Sequence, residues 1–181
     1  TGGSTPQRIA DEINLIQHYL VEKTRLGIPA VFHNEAIAGV QAPGHVVFPT
    51  ATGVAATWSP ELSHEMGDVV RRQMRRLGLT QALGPVLDVS LEPRWGRVHE
   101  TFGEDPYLVA AFGTAYIGGL QGDDLSQGVV ATAKHFLGYG ASEGGLNSSN
   151  VEAGSRRIRD VFALPFEAAI QLAKLRSVMN T

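Results

Sequence analysis

Four times along the chain, a segment with helical hydrophobic spacing is followed by a short apolar run, and this alternation constrains the fold more than any other feature. Residues 6–23 place Ile9, Ile13, Ile16 and Leu20 on one helical face. Residues 26–32 then read as a turn into a buried strand. Ser59-Pro60-Glu61 marks a second helix start, because serine can cap, proline suits the first turn and glutamate favours the positive helix end. Its stripe is Leu62, Met66, Val69, Val70, Met74 and Leu77, and Gly78 stops it. Residues 79–89 hold a second strand, placed on one side of Gly84-Pro85 because proline cannot donate to a central ladder. Asp105-Pro106 opens a third helix through Leu108, Phe112, Tyr116 and Leu120, and residues 129–133 follow as a strand. Residues 151–173 predict one or two helices joined near Pro165, and residues 176–179 a fourth strand.

Strands separated by helix-length connections pair in parallel, and strands apolar on both faces need helices above and below. The expected class is therefore α/β, with parallel strands alternating with helices. Two architectures fit: an open doubly wound sheet, and the first half of a (β/α)8 barrel, since a whole barrel takes about 250 residues and this chain has 181. With 43% hydrophobic and 18% charged residues, a packed core is expected. A net charge of −3 argues against a nucleic-acid footprint. No apolar run approaches a membrane span, and the absence of cysteine removes disulfides, thiolate metal sites and a cysteine nucleophile. The compartment is left open, since no signal segment is visible.

In either architecture, ligands bind at the carboxyl ends of the strands. That rule collects His33-Asn34-Glu35, Asp88 with the loop Glu92-Pro93-Arg94-Trp95-Gly96-Arg97, Lys134-His135, and Met179-Asn180 on one rim. Lys134 and His135 directly follow an apolar strand, so each needs a partner to offset desolvation. Sugar hydroxyls or a carboxylate would serve, and Glu35 is the carboxylate at hand. A Schiff-base role for Lys134 is the weaker reading, because nothing nearby marks carbonyl chemistry. Arginine's planar fork suits carboxylates, phosphates and vicinal hydroxyls. Of Arg94 and Arg97, one is expected to clamp the loop through Glu100, Glu104 or Asp105, and the other to face the ligand. The glycine-rich residues 138–145 form a flexible rim loop, either a cover for a ligand or a plain connection. The six histidines show no metal-ligand spacing, so no metal site is predicted. Asn147-Ser148-Ser149 matches a glycosylation sequon, a pattern frequent by chance.

Taken together, these segments resemble the amino-terminal barrel domain of glycoside hydrolase family 3, in its β-glucosidase and β-xylosidase branch. The resemblance is carried by Arg25-Leu26-Gly27-Ile28-Pro29, by Phe48-Pro49-Thr50 with Ala55-Ala56-Thr57-Trp58, and by Pro85-Val86-Leu87-Asp88. Its strongest stretch is Pro93-Arg94-Trp95-Gly96-Arg97 followed by Glu100-Thr101-Phe102-Gly103-Glu104-Asp105-Pro106. Ala133-Lys134-His135-Phe136 with Gly138-Tyr139-Gly140, and Ser177-Val178-Met179-Asn180, complete it in the family's order. There are departures. Glu92 stands where Asp is usual, and Ala36-Ile37-Ala38-Gly39 lacks the family's common histidine. Residues 137–150 contain no histidine, which argues against the hexosaminidase branch.

The resemblance implies roughly the first half of a TIM-type barrel, as a single partial domain over 1–181. It implies that Glu35, Arg97, Lys134 and His135 hold the non-reducing sugar and that Met179 lines the same subsite. It also implies retaining hydrolysis of terminal β-glucosyl or β-xylosyl residues by two carboxylates, with no cofactor. Neither carboxylate is matched here, so the nucleophile and the acid/base are expected beyond Thr181 and the chain alone is expected to be inactive. The open sheet is expected to be covered by the remainder of the barrel or by a second copy. The alternative is a non-catalytic carbohydrate-binding half barrel or pseudoenzyme.

Overall fold

The computed structural model describes residues 5–181; the first four residues of the expected 1–181 domain lie outside the described residues. The first helix, α1 (Pro6–Lys23), has the bounds its pattern predicts. Thr5 caps it by accepting a hydrogen bond from the Arg8 amide. Strand β1 (His33–Asn34) follows, then α2 (Ala51–Ala55) and α3 (Pro60–Leu77), which ends at Gly78 in the left-handed conformation, φ 82°. Ser59 precedes α3 without capping it, because its hydroxyl donates to Glu61 instead. Strand β2 (Gln81–Ala82), helix α4 (Pro106–Gln121) capped by Asp105, and strand β3 (Val130–Phe136) come next. A short α5 (Ser155–Arg157) runs through a π-helical stretch, Ile158–Ala163, into α6 (Leu164–Leu172), with Pro165 in the first turn of α6. Strand β4 (Ser177–Asn180) closes the series.

The strands pair in parallel in the order β1-β2-β3-β4. Consecutive parallel neighbours joined by helices are the wall of a (β/α) barrel, not the reversing order of a doubly wound sheet. The core lies between this wall and α3, α4 and α6. It is filled by Val70, Met74, Val109, Phe112, Ile117, Leu120, Phe162 and Phe166. Helices α3 and α4 approach closely because Gly67 faces the Tyr116 carbonyl and Gly119 faces the His64 carbonyl, leaving no room for a Cβ.

Three strand expectations change. The run 26–32 forms no regular strand: Gly27 is left-handed, φ 62°, Leu26, Ile28 and Val31 are exposed, and regular pairing starts only at His33. Gln17 of α1 holds the run by bonding both the amide and the carbonyl of Ala30. Only the Phe32 carbonyl enters the sheet, accepting from Thr80 and Gln81. In β2 the regular strand precedes Gly84-Pro85, yet the ladder continues beyond it. Proline cannot donate, but the Pro85 carbonyl accepts from the Lys134 amide, and the Leu87 amide donates to the Lys134 carbonyl. Strand β3 extends through Lys134 and His135, so those two residues are part of the strand and not of the loop after it.

Candidate functional site

The carboxyl ends of the strands carry the charged residues. Glu35 follows β1 in a tightly fixed turn. Asn34 Oδ1 accepts from the amides of Ala36 and Gln41, and the buried Tyr116 hydroxyl donates to the Ala36 carbonyl at 2.5 Å. Ala36 itself is left-handed, φ 49°, a conformation that persists only where surrounding contacts enforce it. Burial pushes the Tyr116 phenol well above its ordinary range, so it stays a donor.

Lys134 is buried, and its ammonium donates to Glu35 Oε2 at 2.5 Å. Arg97 lies in the loop after β2 and grips Glu100 through two bonds of 2.7 Å. Burial alone would push the Glu100 carboxyl up. Only together do the Arg97 hydrogen bonds and the charges of Arg97, Lys134 and His99 overcome it, and they hold Glu100 below its ordinary range. The Arg97 guanidinium also lies 6.0 Å from the Trp95 ring centre and 5.9 Å from that of Tyr139. Glu35, Arg97 and Glu100 line a cleft of ≈ 380 Å³ together with Thr50, Gln41 and His99.

The five residues expected at the site are brought together to different degrees. Glu35 and Arg97 line the cleft. Lys134 adjoins it through Glu35. Met179 sits opposite Lys134 in the β3–β4 register. His135 lies beside Tyr139, ring centres 5.0 Å apart, and is bonded to Asp88. The expected division between the two arginines does not hold. Arg94 is exposed and pairs with Glu92, whose carboxyl it draws down to about 2, whereas Arg97 both clamps Glu100 and lines the cleft. The glycine-rich rim loop is latched. Gly140 accepts from the Leu91 and Glu92 amides, Gly145 packs on the backbone of Arg94 and Trp95, and the Trp95 indole donates to Asn147. Sequence reasoning placed Asp88 on the rim without a role and passed over Tyr139. An aromatic set between two rim glycines, Gly138 and Gly140, was the available signal.

Among the described residues no group of three or more His, Asp or Glu is arranged to hold a metal ion, and no helix is long and apolar enough to cross a membrane.

A parallel α/β wall with its acids, arginine and lysine gathered at the strand carboxyl ends defines the ligand-binding end of a (β/α)-barrel protein. The model of the glycosyl hydrolase family 3 N terminal domain matches residues 2–181, and the chain belongs to that family. It is 43% identical to a β-xylosidase of Formosa agariphila over 86% of this chain and 23% of that protein. It is 37% identical to the periplasmic β-glucosidase/β-xylosidase of Dickeya chrysanthemi over 82% of this chain and 24% of that one. Among solved structures, a β-glucosidase from Erythrobacter marinus superposes with a TM-score of 0.95 at 31% identity, covering 98% of this chain and 24% of its own. A mutant β-glucosidase from Listeria innocua in complex with laminaribiose gives 0.88 at 33% identity, covering 95% and 24%. The chain thus spans about a quarter of the length of the relatives it matches.

Proposed function

We propose that this chain is the sugar-holding half of the barrel of a retaining β-glycosidase that releases terminal non-reducing β-glucosyl or β-xylosyl residues. Glu35, Arg97, Lys134 and His135 hold the sugar hydroxyls and Met179 lines the same subsite. The observation that carries this reading is the cleft shared by Glu35 and Arg97, with Lys134 anchored beneath it. A planar guanidinium and a carboxylate, each pre-set by a bond to an oppositely charged side chain, suit vicinal hydroxyls. The chemistry itself belongs to two carboxylates outside these 181 residues. Each acid near the cleft is already engaged by a basic side chain: Glu35 by Lys134, Glu100 by Arg97, Asp88 by His135. Glu100 is held below its ordinary range, the opposite of what a general acid needs.

The barrel's other half, as further sequence or as a second copy, covers the flanks in this reading. Strand β1 and strand β4 each lack an outer neighbour among the described residues, and Ile28 and Val31, which lead into β1, and Val178 of β4 are exposed. Supporting this domain reading is the family match over residues 2–181. The test is hydrolysis of aryl β-glucoside and β-xyloside by the purified 19.4 kDa chain, with intact mass recorded on the same sample. No turnover is expected. Turnover by a chain of that mass would overturn the assignment of the reacting carboxylates to other residues.

A further inference from the structure

Asp88 is the most deeply buried acid of the rim, with a side chain at 0% exposure. A single oxygen of it, Oδ2, accepts both the His135 backbone amide at 3.1 Å and the His135 ring Nδ1 at 2.7 Å. An ionised carboxylate can only accept, so Nδ1 carries the hydrogen, and in the neutral imidazole Nε2 is left with a free lone pair. The ring cannot readily turn to exchange the two nitrogens. Its backbone is tied to the same oxygen, and Tyr139 packs edge-on against it at an interplanar angle of 83°. Among the described residues the His135 side chain bonds only through Nδ1, so Nε2 is without a partner, and the second Asp88 oxygen, Oδ1, is buried and unpartnered.

From this we infer that Asp88 is the positioning residue that fixes His135 in the Nδ1–H tautomer and so makes it a hydrogen-bond acceptor toward the sugar. The inference rests on the reading that His135 meets a sugar. It supplies what that reading lacks. Lys134 and Arg97 can only donate, and every sugar hydroxyl has a hydrogen to place as well as lone pairs to satisfy. Without His135 Nε2, the charged acceptors facing the cleft would be the carboxylates of Glu35 and Glu100, and Glu100 is already held through both oxygens by Arg97. Glu35 already shares one oxygen with Lys134. Asp88 touches no sugar in this scheme; it acts through His135.

The test is nitrogen-15 spectroscopy of the imidazoles in the 181-residue chain at mildly alkaline pH, with His135→Gln identifying the signal. The wild-type chain is expected to show a protonated Nδ1 and a bare Nε2 at His135. A protonated Nε2 there overturns the inference by itself, without any variant having to fold. Asp88→Ala should release the ring toward the Nε2–H form. Asp88→Asn, whose one oxygen can still accept both bonds, should retain Nδ1–H. A merely structural Asp88 would lower thermal stability in Asp88→Ala and leave the tautomer unchanged, which also overturns the inference. Titration with D-glucose and D-xylose, followed by ligand-observed NMR, separates the two claims. Affinity should fall about tenfold in Asp88→Ala, the scale of one lost hydrogen bond, and by less than threefold in Asp88→Asn. If neither sugar binds the wild-type chain, the sugar reading fails whatever the tautomer. If sugar binds and Asp88→Ala binds equally well, the positioning role fails alone.

Discussion

The Lys134–Glu35 pair is asymmetric, and the asymmetry predicts opposite outcomes for removing its two halves. The Lys134 side chain is 3% exposed, whereas that of Glu35 is 43% exposed. Glu35→Ala strands an ammonium in the interior with no other hydrogen-bond partner among the described residues. Breaking a buried pair this way costs about 3–5 kcal/mol. Because Glu35 is partly open to solvent, water can reach the vacated side, and a loss of about 2–3 kcal/mol is expected. Lys134→Met removes the buried charge instead. The freed carboxylate turns to water, and methionine fills the path of the lysine stem, so the change is expected to be neutral or stabilising by about 1 kcal/mol. The double variant should recover most of the Glu35→Ala loss, a coupling of about 2 kcal/mol. Urea unfolding followed by circular dichroism reads all four proteins. If Lys134→Met destabilises as much as Glu35→Ala, the buried ammonium itself stabilises the fold and the two halves of the pair are not asymmetric.

Two further outcomes follow from the packing and the rim. A Cβ on Gly119 would lie 2.2 Å from the His64 carbonyl oxygen, whereas one on Gly118 meets only the His64 side chain at 3.4 Å. Gly119→Ala should therefore lose about 1–3 kcal/mol to overpacking, while Gly118→Ala should be neutral or gain up to about 1 kcal/mol of helix propensity; equal effects in urea melts would refute the close α3–α4 contact. Glu100 has a folded-state pKa below its reference value of 4.5, so its contribution is complete above 4.5 and is lost as pH falls through the folded-state value. Glu100→Gln should accordingly flatten the acid limb of a stability–pH curve below pH 4.5, and an unchanged limb would remove the Arg97–Glu100 clamp from the account.

What the sequence disclosed depended on how locally each feature is encoded. Helices α1 and α3 could be read to the residue because their ends are written into neighbouring side chains: Thr5 before Pro6, and Gly78 after Leu77. The first strand was misplaced because residues 26–32 are apolar without being buried: they lie on a flank of the sheet with no outer neighbour, where an apolar residue signals a contact the described residues do not make. The rim residues were legible from the rule that ligands sit at strand ends. Their pairing was not, since Asp88 finds His135 and Glu35 finds Lys134 only through the parallel register, across 47 and 99 residues. The arginine assignment failed for a related reason. Arg94 and Arg97 stand three residues apart with acids on both sides, and only the turn over Val98–Glu100 brings Glu100, and not Glu104 or Asp105, into the Arg97 fork.

Strand β3 states the underlying compromise within seven residues. Ala131 and Ala133 are small and fully buried, and such residues let α4 and the sheet pack closely. Lys134 and His135 follow in the same strand with equally little exposure, yet each requires a carboxylate imported from another strand end. An apolar pair would pack there without partners, so the two ends of the strand answer to different demands: closure of the core at one, and a fixed set of donors and acceptors at the other. Asp88 and Glu35 make the second demand compatible with the first. Asp88 is enclosed and holds its histidine rigidly, whereas Glu35 is half open, so it neutralises Lys134 and still leaves an oxygen for a ligand in the cleft.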